Sequence, residues 1–302
     1  MVTIIDGKAV AKGIRKAIKA GTKRLKEEQD ITPGLVTILV GEDPGSATYV
    51  RMKKKTAKRL GFYSGNVSED KEDDVKFPAD IPHDELKKII EGHNDNDRIH
   101  GILVQLPLPK QIDTYDIMDA VNPSKDVDGF SAKTTTDICR GDEVYLPPCT
   151  PQGVIELLKA YEIETQGQHV VVLGRSNIVG RPLANLLSRK EYSATVTVCH
   201  SRTKDLEYHC RQADILVAAI GMPKFVGPTM VKEGAVVIDV GTNRLEDDSL
   251  CGDVDFDEVQ HMCSHITPSP GGVGPMTIAM LMKNTYNAAV GIHGLRPDYE
   301  LK

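Results

Sequence analysis

The sequence predicts a two-domain α/β protein built from open, doubly wound, mostly parallel sheets, and three observations carry that prediction. Short apolar runs alternate with longer amphipathic stretches along nearly all of the 302 residues, the order expected of strand–helix units. The runs "LVTILVG" (35–41), "HVVVLG" (169–174) and "AVVIDVG" (235–241) are almost continuous in Val, Ile and Leu, as in parallel strands covered on both faces. Between the two series, "SAKTTTDICRGDEVYLPPCTPQG" (131–153) loses periodicity and carries three prolines, which marks a boundary.

In the first series, residues 35–41 read as a buried strand and 49–60 as the helix after it. "HDELKKIIEGHN" (83–94) is a helix, and "IHGILVQLPLP" (99–109) is a strand ended by its prolines. "TYDIMDAV" (114–121) is a short helix. In the second series, the strand at 169–174 leads through "RSNIVGRPLANLLSR" (175–189), a loop and helix. "ATVTVCHS" (194–201), "ADILVAAIG" (213–221), residues 235–241 and "SHITPS" (264–269) supply further strands. The domains are therefore placed at 1–148 and 149–274. The strongly apolar final helix, with the chain from about 275 to 302, is expected to pack back on the first domain.

Net charge is -6, from 37 basic and 43 acidic side chains, which argues against a protein built to hold nucleic acid. One local exception is "TYVRMKKKTAKRL" (48–60), with six cations in the nine residues 51–59. On a helix Tyr49 and Lys53 share a face, while Arg51, Lys54 and Lys55 rotate away from it. Six scattered cysteines form no CxxC pair and no zinc spacing, so no metal site and reduced thiols are expected. No run approaches a signal-peptide core or a membrane span, and a cytoplasmic protein with no membrane partner is expected.

"VVVLGRSNIVGRP" (170–182) places Gly174 and Gly180 in a strand-to-helix turn. Glycine there lets backbone approach a phosphate that the free N–H groups of the helix start can receive. The spacing is not GxGxxG, and a turn that binds nothing is the competing reading. The following strand decides between cofactors. An NAD site carries an acid near its end for the ribose hydroxyls, but here His200, Ser201, Arg202 and Thr203 stand in its place, with no acid before Asp205. With Arg175 in the first turn, these groups suit a 2′-phosphate, so NADP is expected rather than NAD.

Along its length the chain resembles the bifunctional methylenetetrahydrofolate dehydrogenase/cyclohydrolases. The motifs "YVRMKKK", "GILVQLPLP", "KDVDGF", "CTPQG", "GRSNIVGRP", "CHSRT", "DVGTNR", "GDVDF" and "TPSPGGVGPMT" stand in that family's order. Two departures are Thr242, where isoleucine is common and packing beside the nicotinamide is affected, and Ser269, where a small apolar residue is common. The resemblance implies a catalytic, folate-binding domain and a Rossmann-like NADP-binding domain with a cleft between them, in a homodimer joined through the nucleotide-binding domains. It implies oxidation of 5,10-methylenetetrahydrofolate to the methenyl form, then hydrolysis to 10-formyltetrahydrofolate.

Carried onto this chain, the tyrosine–lysine motif selects Tyr49 and Lys53, with Lys53 as general acid/base for the hydrolysis. Gln105 would hold Lys53 by a hydrogen bond. Asp128, rather than Asp126, would accept from the pterin, although a turn-capping role is open to either acid. Tyr49 would lie along the folate, and the backbone of Pro270, Gly271 and Gly272 would touch it. Gly174, Arg175, Ser176, Ser201 and Thr242 are the cofactor residues. Competing readings are a carbonyl-acid NADP oxidoreductase, which needs an arginine clamp, and a dehydrogenase lacking the hydrolytic lysine. A nucleic-acid module using 51–59, or a vestigial scaffold, would leave most of the motifs unexplained.

Overall fold

The computed structural model describes residues 1–64, 75–296, 299 and 301. Of the C-terminal stretch 275–302, residues 297, 298, 300 and 302 lie outside the described residues. The chain opens with β1 (Thr3–Ile4) and α1 (Gly7–Gln29), then β2 (Gly34–Val40), α2 (Pro44–Leu60), β3 (Tyr63–Ser64) and β4 (Val75–Phe77). Next come α3 (His83–Asn94), β5 (Gly101–Val104), α4 (Thr114–Ala120), α5 (Ala132–Arg140) and α6 (Cys149–Ala160). The second series follows as β6 (His169–Leu173), α7 (Gly180–Leu187), β7 (Thr195–Cys199), α8 (Leu206–Arg211), β8 (Ile215–Ala218) and β9 (Val236–Asp239). A small antiparallel hairpin, β10 (Asn243–Arg244) and β11 (Leu250–Cys251), precedes α9 (Phe256–Val259), β12 (His265–Ile266) and α10 (Val273–Ile292).

The chain divides into two compact units. One comprises Met1–Lys12, Ile138–Asp142 and Pro148–Met280; the other comprises Gly13–Asp137, Glu143–Pro147 and Leu281–Lys302.

In the unit built mainly from the first half, β2 is the central strand. It is parallel to β3 and β4, met in succession along one edge, and to β5 along the other. Every residue of β2 is buried, because both its faces are covered. Val36, Ile38, Val40, Ile102 and Val104 turn one face of the sheet toward Leu86 and Ile90 of α3 and Ile117 of α4. Burial of such side chains stabilises by roughly 1.5–3 kcal/mol each. From α10, Asn284 donates to the carbonyls of Val127 and Pro147, and the Tyr286 hydroxyl donates to the Tyr299 carbonyl.

The other unit is a six-stranded sheet in the order β1-β12-β9-β8-β6-β7, parallel throughout. Its core gathers Val171, Leu173, Leu216, Val237 and Ile266 from the strands. The chain leaves β6 toward β7 on one side and returns to β8 on the other, so the strand order reverses at β6. The carboxyl ends of β6 and β8 therefore frame the crevice in which such sheets hold ligands.

Three local readings are corrected. Helix α2 starts at Pro44 rather than 49, because the Asp43 carboxylate accepts from the Ser46 N–H at 2.7 Å and proline is suited to a first helical turn. The turn-rich stretch at 131–153 contains α5, whose Thr134 and Ile138 are buried. Residues 3–4, within the range 1–148 given to the N-terminal domain, form β1, which pairs with β12 in the other unit's sheet.

Candidate active site

In α2 the core-facing stripe is Ser46, Val50, Lys53, Ala57 and Leu60, spaced three or four apart. Lys53 is the charged member of that stripe and is only 7% exposed, whereas Arg51, Lys55, Lys58 and Arg59 are exposed. Tyr49, half-buried, lies one turn before it. Gln105 directly follows β5, its N–H bonded to the Ile38 carbonyl of β2. Lys53 Nζ donates to Gln105 Oε1 at 3.0 Å. The Gln105 amide is oriented without ambiguity, since its Nε2 donates to the Leu106 carbonyl at 2.7 Å and a carbonyl can only accept.

The two acids of "KDVDG" part company. Asp126 is buried, and its Oδ1 accepts from the Gly129 and Phe130 N–H groups while Oδ2 accepts from Ser131. Burial pushes its carboxyl upward, opposed by those same bonds. Both oxygens of Asp126 are thus committed to folding the turn. Asp128 is half-buried, two residues further on in the same turn.

The remaining site residues lie beyond the carboxyl ends of strands in the six-stranded sheet: Gly174, Arg175 and Ser176 after β6, Ser201 after β7, Thr242 after β9, and Pro270, Gly271 and Gly272 after β12. Gly174 has φ +128°, and a Cβ there would strike the Ala219 carbonyl oxygen beyond β8. A Cβ on Gly180 would in turn strike the Gly174 carbonyl. Both glycines are fixed by close backbone approach, which packs the two ends of the turn before α7 tightly together. The Ser176 hydroxyl accepts from the Val179 and Gly180 N–H groups, and Arg175 and Ser176 are exposed. Ser201, Arg202 and Thr242 are exposed as well. The residues fit a dinucleotide carrying an extra phosphate: a close-packed glycine turn with the exposed Ser176 for the pyrophosphate, and cations and hydroxyls at the end of β7.

Ser269 donates to the Gly241 carbonyl at 2.8 Å, tying the "PSPGG" turn to the loop that carries Thr242. Gly271 has φ +122°, and its carbonyl accepts from the Lys8 N–H at the start of α1.

The sequence reading assigned no role to two further acids. Asp239, at the end of β9, accepts from the N–H groups of Gly241, Asp253 and Val254, and burial pushes its carboxyl up to about 6. Asp253 is fully buried and accepts from Ile220, Gly221, Met222 and the Asn243 amide. Both lie in quoted motifs, "DVGTNR" and "GDVDF", and the signal was an acid closing or following an apolar run. Among the described residues no group of His, Cys, Asp or Glu is arranged to hold a metal ion, and no helix is long and apolar enough to cross a membrane.

Residues 5–128 match the tetrahydrofolate dehydrogenase/cyclohydrolase catalytic domain, and residues 148–292 match the NAD(P)-binding domain of the same enzymes. Over 290 residues the chain is 50% identical to the bifunctional protein FolD of Streptococcus thermophilus, covering 96% of this chain and 98% of the relative. The chain belongs to the tetrahydrofolate dehydrogenase/cyclohydrolase family. Among solved structures of the family, FolD from Campylobacter jejuni superposes with a TM-score of 0.91 at 45% identity, over 97% of this chain and 100% of that one. FolD from Trypanosoma brucei, solved with NADP and an inhibitor, gives 0.90 at 38% identity, over 98% and 99% of the two chains. Membership makes the six-stranded sheet the NAD(P)-binding domain and the β2-centred sheet the core of the catalytic domain.

Proposed function

We propose that this chain oxidises 5,10-methylenetetrahydrofolate with NADP and hydrolyses the resulting methenyl cation to 10-formyltetrahydrofolate. The observation that carries the hydrolytic half is the buried Lys53 amine, oriented by Gln105 at the end of a strand. In this reading Lys53 Nζ takes a proton from the water whose oxygen bonds to the methenyl carbon. It then returns a proton to N5 as the carbon–N5 bond breaks, leaving the formyl group on N10. Gln105 acts by holding the amine in place. Tyr49, one turn from Lys53, lies along the folate. Asp128 accepts from the pterin N–H groups, since Asp126 is buried with both oxygens bonded within its own turn. Backbone at Pro270, Gly271 and Gly272 contacts the substrate.

NADP, when bound, would supply the acceptor for the hydride that leaves the methylene carbon. The residues to hold it are the Gly174 turn with Ser176 for the pyrophosphate, Arg175 and Ser201 for the 2′-phosphate, and Thr242 beside the nicotinamide. The chain works in the cytoplasm as a homodimer. Strand β7 offers an open ladder edge at one side of the sheet, with Val198 39% exposed on it, which supports a partner there.

The test is to supply 5,10-methylenetetrahydrofolate with NADP, and in parallel with NAD, while following reduced nucleotide and methenyl-folate together. Reduced nucleotide with little methenyl build-up is expected. Methenyl-folate that accumulates and decays only at its uncatalysed rate removes the hydrolytic half, and no reduced nucleotide removes the whole reading.

A further inference from the structure

The loop after β8 turns its N–H groups inward, toward a side chain of the protein itself. Three successive amides, Ile220, Gly221 and Met222, converge on one carboxylate, with Gly221 at φ +68°. Successive N–H groups turned to one side form an anion-binding concavity, and here the anion is internal. Asp253 Oδ2 accepts from Ile220 at 2.7 Å and Gly221 at 3.0 Å; its Oδ1 accepts from Met222 at 3.0 Å and from Asn243 Nδ2 at 2.9 Å. All four donors are neutral amides around a side chain with no exposed surface. Burying a carboxylate on amides alone is costly, and it is sustained only where the donors are complete.

The geometry extends to the next loop. Gly241 packs its Cα against the Asp253 carboxylate, and a Cβ there would collide with it. Asp239 holds the Asp253 N–H at 3.0 Å and the Gly241 N–H at 2.9 Å. The loops after β8 and β9 are therefore built around one carboxylate. The first of them meets the phosphate turn directly, where Gly174 lies against the Ala219 carbonyl. Gly221, Met222 and Thr242 present the outer surface of these loops to solvent.

We propose that Asp253 is a positioning residue for the dinucleotide, an internal anion that fixes the walls beyond β8 and β9 against which the nicotinamide end rests. The proposal depends on the reading that this sheet holds NADP.

Asp253→Asn replaces one acceptor oxygen by a donor facing donors. Asn243→Ala, at a half-buried and less demanding position, removes one of the four bonds. The readouts are the NADP dissociation constant by calorimetry on the full chain, without folate, and hydrolysis of methenyltetrahydrofolate without nucleotide. Asp253→Asn is expected to weaken NADP about tenfold or more and Asn243→Ala about threefold, the usual effect of stripping partners from a buried charge. Hydrolysis stays within about twofold in both variants if the effect is confined to the cofactor walls. NADP binding at the wild-type level in Asn243→Ala overturns the proposal, as does a parallel loss of binding and hydrolysis. If Asp253→Asn does not fold, Asn243→Ala decides alone. Wild-type protein that binds no NADP refutes the functional reading itself, a result distinguishable from either.

Discussion

His100 gives a stability prediction whose size follows from its surroundings. The ring is 3% exposed, at the amino end of β5. Its Nδ1 receives the Gly34 N–H at 3.0 Å, so that nitrogen carries no proton. The proton is on Nε2, which faces His293 Nε2 at 3.1 Å and donates to it. A second proton would have to displace the Gly34 bond and place a charge in a desolvated site. Burial, then His293 and Lys125, lower the pKa from 6.5 to about 4, with Asp97 pulling weakly the other way. The folded value is depressed, so the unfolded chain binds the proton first as pH falls. Stability is intact above pH 6.5, declines from there, and the loss is complete near pH 4, at about 3 kcal/mol in all. By pH 5 about 2 kcal/mol is gone. The assay compares urea unfolding of wild type and His100→Gln at pH 7.5 and pH 5. His93 and Asp239 titrate in both chains and cancel. The variant starts out less stable, having lost the ring's bonds, and the gap should shrink by about 2 kcal/mol at pH 5. A gap that stays constant would refute the assignment of a neutral, buried ring.

Two further predictions concern the nucleotide-binding unit. Arg175→Ala should raise the Michaelis constant for NADP about tenfold or more while leaving that for NAD nearly unchanged, the worth of one charge-assisted contact; an unchanged NADP/NAD ratio removes Arg175 from phosphate recognition. Gly174→Ala puts a Cβ onto the Ala219 carbonyl at a φ of +128°, a strain of about 1–3 kcal/mol. It should abolish detectable NADP binding while methenyltetrahydrofolate is still hydrolysed, and calorimetric binding at the wild-type level would contradict the close-approach argument.

What was legible in the sequence depended on whether the responsible contacts were local. The parallel strands announced themselves as unbroken aliphatic runs, because a strand buried on both faces has no polar side to show. Lys53 and Tyr49 were readable as helix-face neighbours from spacing alone, whereas Gln105 came forward as the partner of the lysine only through the family resemblance. Strand β1 was not visible in the sequence because its partner, β12, lies at the other end of the chain, and two residues carry no periodicity. Helix α5 was hidden by its three consecutive threonines, residues indifferent to helix until Ile138 finds a core. Asp253 was invisible as an organiser because three of its four donors are backbone amides 31 to 33 residues earlier, and side-chain identity does not encode them. The same holds for the turn-capping role, which sequence left open to Asp126 and Asp128 and which the backbone donors assign to Asp126.

The central claim is that Lys53 serves the hydrolytic step and not the hydride transfer. The most direct measurement is Lys53→Met assayed for both activities on the same preparation, with folate binding measured alongside. Methenyltetrahydrofolate should then decay at its uncatalysed rate while NADP reduction remains measurable. Hydrolysis that persists in the variant, or equal loss of both activities with folate still bound, would contradict it.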